Sequence, residues 1–192
     1  MKKLFALLLA AVMALSLVAC SGNDTKTDEP SGDQAAEITS ALSLLETVWN
    51  DYSDDEKFSV VGGSLDNPVD NAPGAFPVDD ADNLDYMLHF PADKSDLIDD
   101  AASLTHMMNA NSFTCGAFHV KNSGDVSAVA DALRQNVQNT QWMCGFPDKL
   151  VIFTYDQYVV SLYGDEELVN TFRDKFTATY SDSTIAYDEA IL

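Results

Sequence analysis

Between Ile38 and Tyr52 apolar side chains return at every third or fourth position, at Ile38, Leu42, Leu45, Val48, Trp49 and Tyr52, with polar residues between them. That spacing lays all six on one stripe of a helix. A second run of the same period, Leu97, Ile98, Ala101, Leu104 and Met108, predicts a helix over residues 93–109, with Pro91 ahead of it and Asp93 able to cap it. The stretch between them, residues 54–91, holds Gly62-Gly63, Asp66-Asn67-Pro68, Asn71-Ala72-Pro73-Gly74 and Asp79-Asp80-Ala81-Asp82. So many turn formers and acids predict a long irregular segment, of the kind that is usually functional or mobile.

Beyond residue 110 the period switches repeatedly. Residues 113–120 read as a strand, and 125–143 as a helix with Val126, Val129, Ala130, Leu133 and Val137 on one side. Residues 149–155 and 158–163 read as strands joined by Asp156-Gln157. Residues 165–180 read as a helix with Leu168, Phe172 and Phe176 spaced by four, and 184–189 as a last strand. The order βαββαβ predicts an α+β fold with a ferredoxin-like sheet over about residues 112–190, two helices lying on one of its faces. In the two middle strands both alternating sets are apolar, Leu150 and Ile152 against Val151 and Phe153, and Val160 and Leu162 against Val159 and Tyr163. Both faces of the sheet must then be covered, and the helices before residue 110 are the available cover for the second. One three-layered domain over residues 36–192 is expected.

The first 35 residues belong to none of this. Met1-Lys2-Lys3 leads into an apolar run from Leu4 to Ala19. A charged start followed by an apolar stretch too short for a secure membrane span is the pattern of an export signal over residues 1–19. The run closes in Leu17-Val18-Ala19-Cys20, which resembles the lipobox of bacterial lipoproteins. The resemblance implies cleavage before Cys20 and a diacylglycerol on its sulfur, which anchors the chain to a membrane without spanning it. Residues 20–35 then form a lipidated Cys and a polar tether with no aromatic or branched aliphatic residue. As a flexible coil the tether reaches about 20 Å.

Charge narrows the partners. The 192 residues carry 10 Lys and Arg against 31 Asp and Glu, a formal net charge of −21. Residues 1–19 hold two Lys and no acid, so the remaining 173 carry eight cations and a net charge of −23. Nucleic acid is excluded, because affinity for a polyphosphate comes mainly from Lys and Arg releasing counterions. An anionic lipid surface also repels such a domain over about a Debye length.

The lipobox, the tether, the segment ending Met107-Met108-Asn109, the strand from Phe113 to Lys121, the helix from Val126 to Val137 and the hairpin closing in Tyr158-Val159-Val160 together resemble an uncharacterised family of lipoproteins from Clostridia-type Firmicutes, catalogued as a domain of unknown function. The likeness covers roughly residues 93–180. It implies an anchored extracytoplasmic domain and supplies no catalytic residue.

The chemistry-bearing residues are few. With Cys20 lipidated, Cys115 and Cys144 are left, an even number in an exported chain, and a crossover helix between them returns Cys144 toward the start of the strand bearing Cys115. The two are either a disulfide or a pair of buried free thiols. His89, His106 and His119 show no helical i, i+4 spacing and no Cys at metal-finger distance. His119 and Cys115 share one side of a strand but stand roughly 13 Å apart. Acids cluster at Asp54-Asp55-Glu56, Asp79 to Asp85 and Asp99-Asp100, none at EF-hand spacing. Asp80 and Asp82, in the 66–85 loop, are the calcium candidates, and solvated acidic surface is the alternative. Phosphate loops, serine elbows and zincin motifs are absent, so no cofactor is expected. Phe76-Pro77, Phe90-Pro91 and Phe146-Pro147 mark segment boundaries, each Phe expected to pack inward.

The sequence thus points to a lipid-anchored extracytoplasmic lipoprotein on the outer face of the cytoplasmic membrane. The expected role is that of a non-catalytic binding or accessory module for a protein, a cationic ligand or a cell-envelope ligand. The alternative is an extracytoplasmic hydrolase whose acids, or a Cys-His pair, meet only in the fold.

Overall fold

A computed structural model of the chain describes residues 38–143 and 145–192. Cys20, the export signal and the tether lie outside the described residues, as does Cys144. Residues Gln34–Leu192 form one compact unit.

The first helix, α1 (Ala41–Asn50), starts where the pattern places it. Ser40 accepts a hydrogen bond from the Ser43 amide while the Ser43 hydroxyl accepts one from the Ser40 amide, a reciprocal cap. Asp100 Oδ2 accepts a further bond from the Ala41 amide at 2.6 Å, which ties the helix entrance to the strand beneath it. Thus an acid of the Asp99-Asp100 pair is a structural cap.

The segment from 54 to 91 is more regular than its composition suggests. It contains three short strands, β1 (Val60–Gly63), β2 (Pro68–Asp70) and β3 (Gly74–Ala75), and a helix, α2 (Ala81–Leu88). Glycine makes this possible. A Cβ on Gly62 or Gly74 would stand 2.2 or 2.4 Å from backbone of the facing segment, and Gly63 has φ +77°. The backbones of β1 and the 72–75 stretch meet at a spacing no side chain allows.

The helix expected over residues 93–109 is not formed. A short 3₁₀ turn (Ala92–Leu97) leads into β4 (Ile98–His106), a nine-residue strand. Its interior is buried on both sides, so Ala101 and Ile98 enter one core while Ala102 and Leu104 enter the other. A strand covered on two faces shows a near-continuous apolar run, in which helical spacing occurs by coincidence.

The remaining elements match the pattern: β5 (Phe113–Val120), α3 (Val126–Gln138), β6 (Lys149–Tyr155), β7 (Tyr158–Gly164), α4 (Glu166–Thr179) and β8 (Thr184–Ala190). Helix α3 stops five residues before its expected end, and residues 139–143 and 145–148 belong to no helix or strand.

All eight strands join one antiparallel sheet in the order β2-β1-β4-β5-β7-β6-β8, with β3 also paired to β4. The fold is α+β, but this order departs from the ferredoxin-like arrangement. There the last strand flanks the first of the βαββαβ unit. Here β4 occupies that place beside β5, and β8 pairs with β6. The difference moves a helix. Both crossovers, β5-α3-β6 and β7-α4-β8, step across the sheet in the same sense, yet β7 runs antiparallel to β5. With a common hand the two helices must fall on opposite faces. They do: α1 and α4 cover one face with Phe113, Cys115, Phe153 and Leu162, and α2 and α3 cover the other with Phe118, Leu150, Ile152 and Tyr163. Ring pairs such as Phe153 and Phe176, with centroids 4.3 Å apart, fill the first core.

Candidate functional site

The β1–β2 turn and the entrance to α2 together shape the main candidate. Residues 64–67 close a tight turn, with the Asn67 amide donating to the Ser64 carbonyl. Across from it Phe76 is buried and its amide donates to Ala101 O, which fixes the chain just ahead of α2. Asp80 caps that helix, its Oδ1 accepting from the Asn83 amide at 3.0 Å, and Asp82 lies in the first turn.

Between these two segments lies an open depression of about 610 Å³ lined by Ser64, Asp66, Asn67, Asp79, Asp80 and Asp82, together with Pro77, Ala81 and Asn83. No Lys or Arg is among its lining residues. Ser64 is 3% exposed, and its buried hydroxyl has no hydrogen-bond partner. Asp80 and Asp82 therefore share one surface with Asp66 and Asp79. Among the described residues, however, no three His, Cys, Asp or Glu side chains converge as a bound metal ion requires. The arrangement is a spread of carboxylates suited to a dispersed positive charge.

The three histidines stay apart. His89 sits at φ +49° at the end of α2, its ring 5.0 Å from Trp142 and 5.3 Å from Tyr163. Burial holds its imidazole below the ordinary histidine range, against the pull of Asp85 in the other direction. His106 Nδ1 lies 3.2 Å from the amides of Met108 and Asn109, shaping the turn after β4, and its ring stacks on Phe58. His119 Nδ1 meets Asp99 Oδ1 at 2.5 Å and packs its ring 4.9 Å from Tyr158. Asp99 gets there because β4 slips register between Ile98 and Asp100, a bulge that re-aims one side chain.

Cys115 is fully buried among Leu104, Leu162 and the α1–α4 core, and burial pushes its thiol far up. A neutral, enclosed thiol cannot serve as a nucleophile, so His119 and Cys115 form no catalytic pair. Cys115 points into the face covered by α1 and α4. Trp142, two residues before Cys144, packs against the opposite face, beside His89 and Tyr163.

Of the other acids, Glu56 pairs with Lys175 at 2.9 Å. That bond and two from Ser53 bring its carboxyl down to about 2. Asp188 joins Lys149 and Arg173, and Glu189 holds Arg134 by two hydrogen bonds. These are ties between elements, and they occupy four of the seven cations among the described residues.

Two of the Phe-Pro pairs pack as expected, Phe76 and Phe90 both being buried. Phe146 is 74% exposed, while Pro147 beside it is buried. The dipeptide marks a boundary in all three places without fixing which way its ring faces. No helix among the described residues is long and apolar enough to cross a membrane. No family model, curated protein or solved structure matches the chain.

Proposed function

We propose that this chain is a lipid-anchored, extracytoplasmic binding module without catalytic activity. Cys20 carries the lipid, and the depression between the β1–β2 turn and α2 takes a cationic group such as a polyamine or a Lys-bearing segment. The observation that supports it is the grouping of Asp66, Asp79, Asp80 and Asp82 on one open surface that no cation among the described residues lines. Carboxylates spread over several hundred cubic ångströms attract an extended polycation better than one small ion, which needs its oxygens within about 2.5 Å.

Two measurements test it separately. Cys20→Ala should move the protein from the membrane fraction to the medium or leave it uncleaved; wild-type protein in the supernatant with an intact Cys20 thiol would overturn the anchor. Calorimetric titration of residues 34–192 with spermine should show saturable binding that weakens as NaCl rises and is lost in Asp79→Asn/Asp82→Asn. Titration with Ca²⁺ at matched ionic strength should show no saturable heat. Equal spermine binding by wild type and variant would remove the depression from the account.

The hydrolase alternative has one feature in its favour, the Asp99–His119 pair beside Tyr158. It has the polarity of a base and its orienting acid. Hydrolysis of p-nitrophenyl esters or glycosides that disappears in His119→Gln would favour that reading.

A further inference from the structure

One end of the sheet carries a surface that neither the core nor the acidic depression uses. The turn after β4 presents Met107 and Met108, 43% and 82% exposed, and the α3–β6 loop presents Met143 and Phe146, 88% and 74% exposed. Asn111 Nδ2 donates to Gly145 O at 3.0 Å, which joins these two loops side by side. A third loop closes the group: the Asp148 amide donates to Gly164 O, and the Asp165 amide to Ser112 O. Three loops thus emerge together at one end of the sheet, and between them they carry four large apolar side chains in solvent, more than the singly exposed ones that would be unremarkable.

Acids border this tip. Asp148, Asp165, Glu166 and Glu167 surround an open hollow at the start of α4, with Asp148 Oδ2 accepting from the Glu166 amide. Lys149, next in sequence, is held by Asp188 and by Asn170, which lines the same hollow. Lys57, two residues before the Ser59 carbonyl that accepts from the Met107 amide, lies over the Trp49 ring.

We infer that the tip docks a protein partner whose contact face has an apolar centre bordered by Lys or Arg. The charge selects this occupant. A second copy would press one acidic border against another, and an anionic lipid surface would meet the same repulsion. Methionine suits the centre, because its unbranched thioether reshapes to the surface it meets and binds apolar and aromatic groups alike.

Methionine also supplies the readout. Residues 34–192 contain Met87, Met107, Met108 and Met143, of which three lie on the tip and Met87 packs against the α2–α3 core. Residues Gln34–Leu192 are the compact unit whose two cores close from within, so they serve as the protein for this test. The probe is a synthetic helical peptide with Leu on one face and Lys flanking it, titrated into methyl-labelled protein and followed by NMR. The Met107, Met108 and Met143 methyl signals should move on one saturable curve while Met87 stays still. The affinity should fall about fivefold between 50 and 200 mM NaCl, as paired charges are screened. Phe146→Ser should weaken binding, and so should Glu166→Gln/Glu167→Gln, each with the Met87 signal unchanged as evidence of an intact fold.

Three results would overturn the inference: peptide shifts that are unsaturable or equal at Met87, tip shifts on vesicles of phosphatidylglycerol and phosphatidylethanolamine without peptide, or tip shifts that follow protein concentration alone. The second would assign the tip to lipid and the third to self-association. None of these bears on spermine binding at the Asp79–Asp82 depression.

Discussion

Ala102 separates a strand from a helix at the place where periodicity predicts a helix and the structure has a strand. On a helix over residues 93–109 the buried stripe contains Ala101, and Ala102 lies about 100° away from it, toward solvent. On β4 the two side chains point to opposite faces. Ala102 is 0% exposed in the core beneath α1, and Ala101 is 1% exposed in the core beneath α2 and α3. Ala102 also stands opposite Ala117 of β5 and Ala75 of β3, so there is no open side toward which a new group could turn. Ala102→Ser therefore buries a hydroxyl with no partner prepared for it, at a cost of about 1–3 kcal/mol. For a domain of this size each kcal/mol lowers Tm by about 2–4 °C, which gives a fall of about 2–12 °C. The same change at an exposed helical position costs about 0.5 kcal/mol through propensity alone. Thermal melts of wild type, Ala101→Ser and Ala102→Ser, followed by circular dichroism, decide between the two. Comparable losses in both variants are expected, and Ala102→Glu should abolish the cooperative melt. A shift below about 2 °C for Ala102→Ser beside a larger loss for Ala101→Ser, with Ala102→Glu still folded, would refute the strand and the two-faced core built on it.

Two further outcomes follow from the same geometry. Because Cys115 and Trp142 occupy opposite faces of the sheet, unreduced protein should expose two alkylatable thiols on denaturation and none from Cys115 while folded; zero thiols before reduction would establish a bridge to Cys144 instead. His89 resists protonation in the fold, whereas the unfolded chain takes a proton near pH 6.5, so the unfolded state binds more protons and stability falls as pH drops below that value toward the folded pKa. The Tm advantage of wild type over His89→Asn, a residue that tolerates the positive φ, should shrink between pH 7 and 5, and an advantage that stays constant would show that burial of the imidazole carries no such cost.

What the sequence by itself determined is the class of fold and the identity of most of its elements. Helices α1, α3 and α4 each present a helical period, and strands β5 to β8 are short runs bounded by turn residues. Doubly apolar β6 and β7 required cover on both faces, and the structure has it. The acid count excluded nucleic acid and left a protein, a cationic ligand or a cell-envelope ligand open, since composition sets the sign of the field without reference to fold.

Other features depended on contacts between distant segments. Residues 98–106 are a strand because β5, β1 and β3 lie alongside to pair with them, and a residue spacing compatible with either element cannot report its neighbours. Strands β1 to β3 are too short to have a period, and β1 and β3 meet through close backbone approach at Gly62, Gly63 and Gly74. The position of β8 beside β6, and with it the placing of α3 and α4 on opposite faces, follows from β4 having taken the place beside β5. The candidate surfaces have the same origin. Asp66 and Asp82 are sixteen positions apart, and Met108 and Phe146 thirty-eight, yet turns anchored by buried Phe76 and by the Asn111–Gly145 bond bring each pair to one surface. Composition could count these carboxylates and methionines. Only the sheet, by fixing which loops emerge at which end, could gather them.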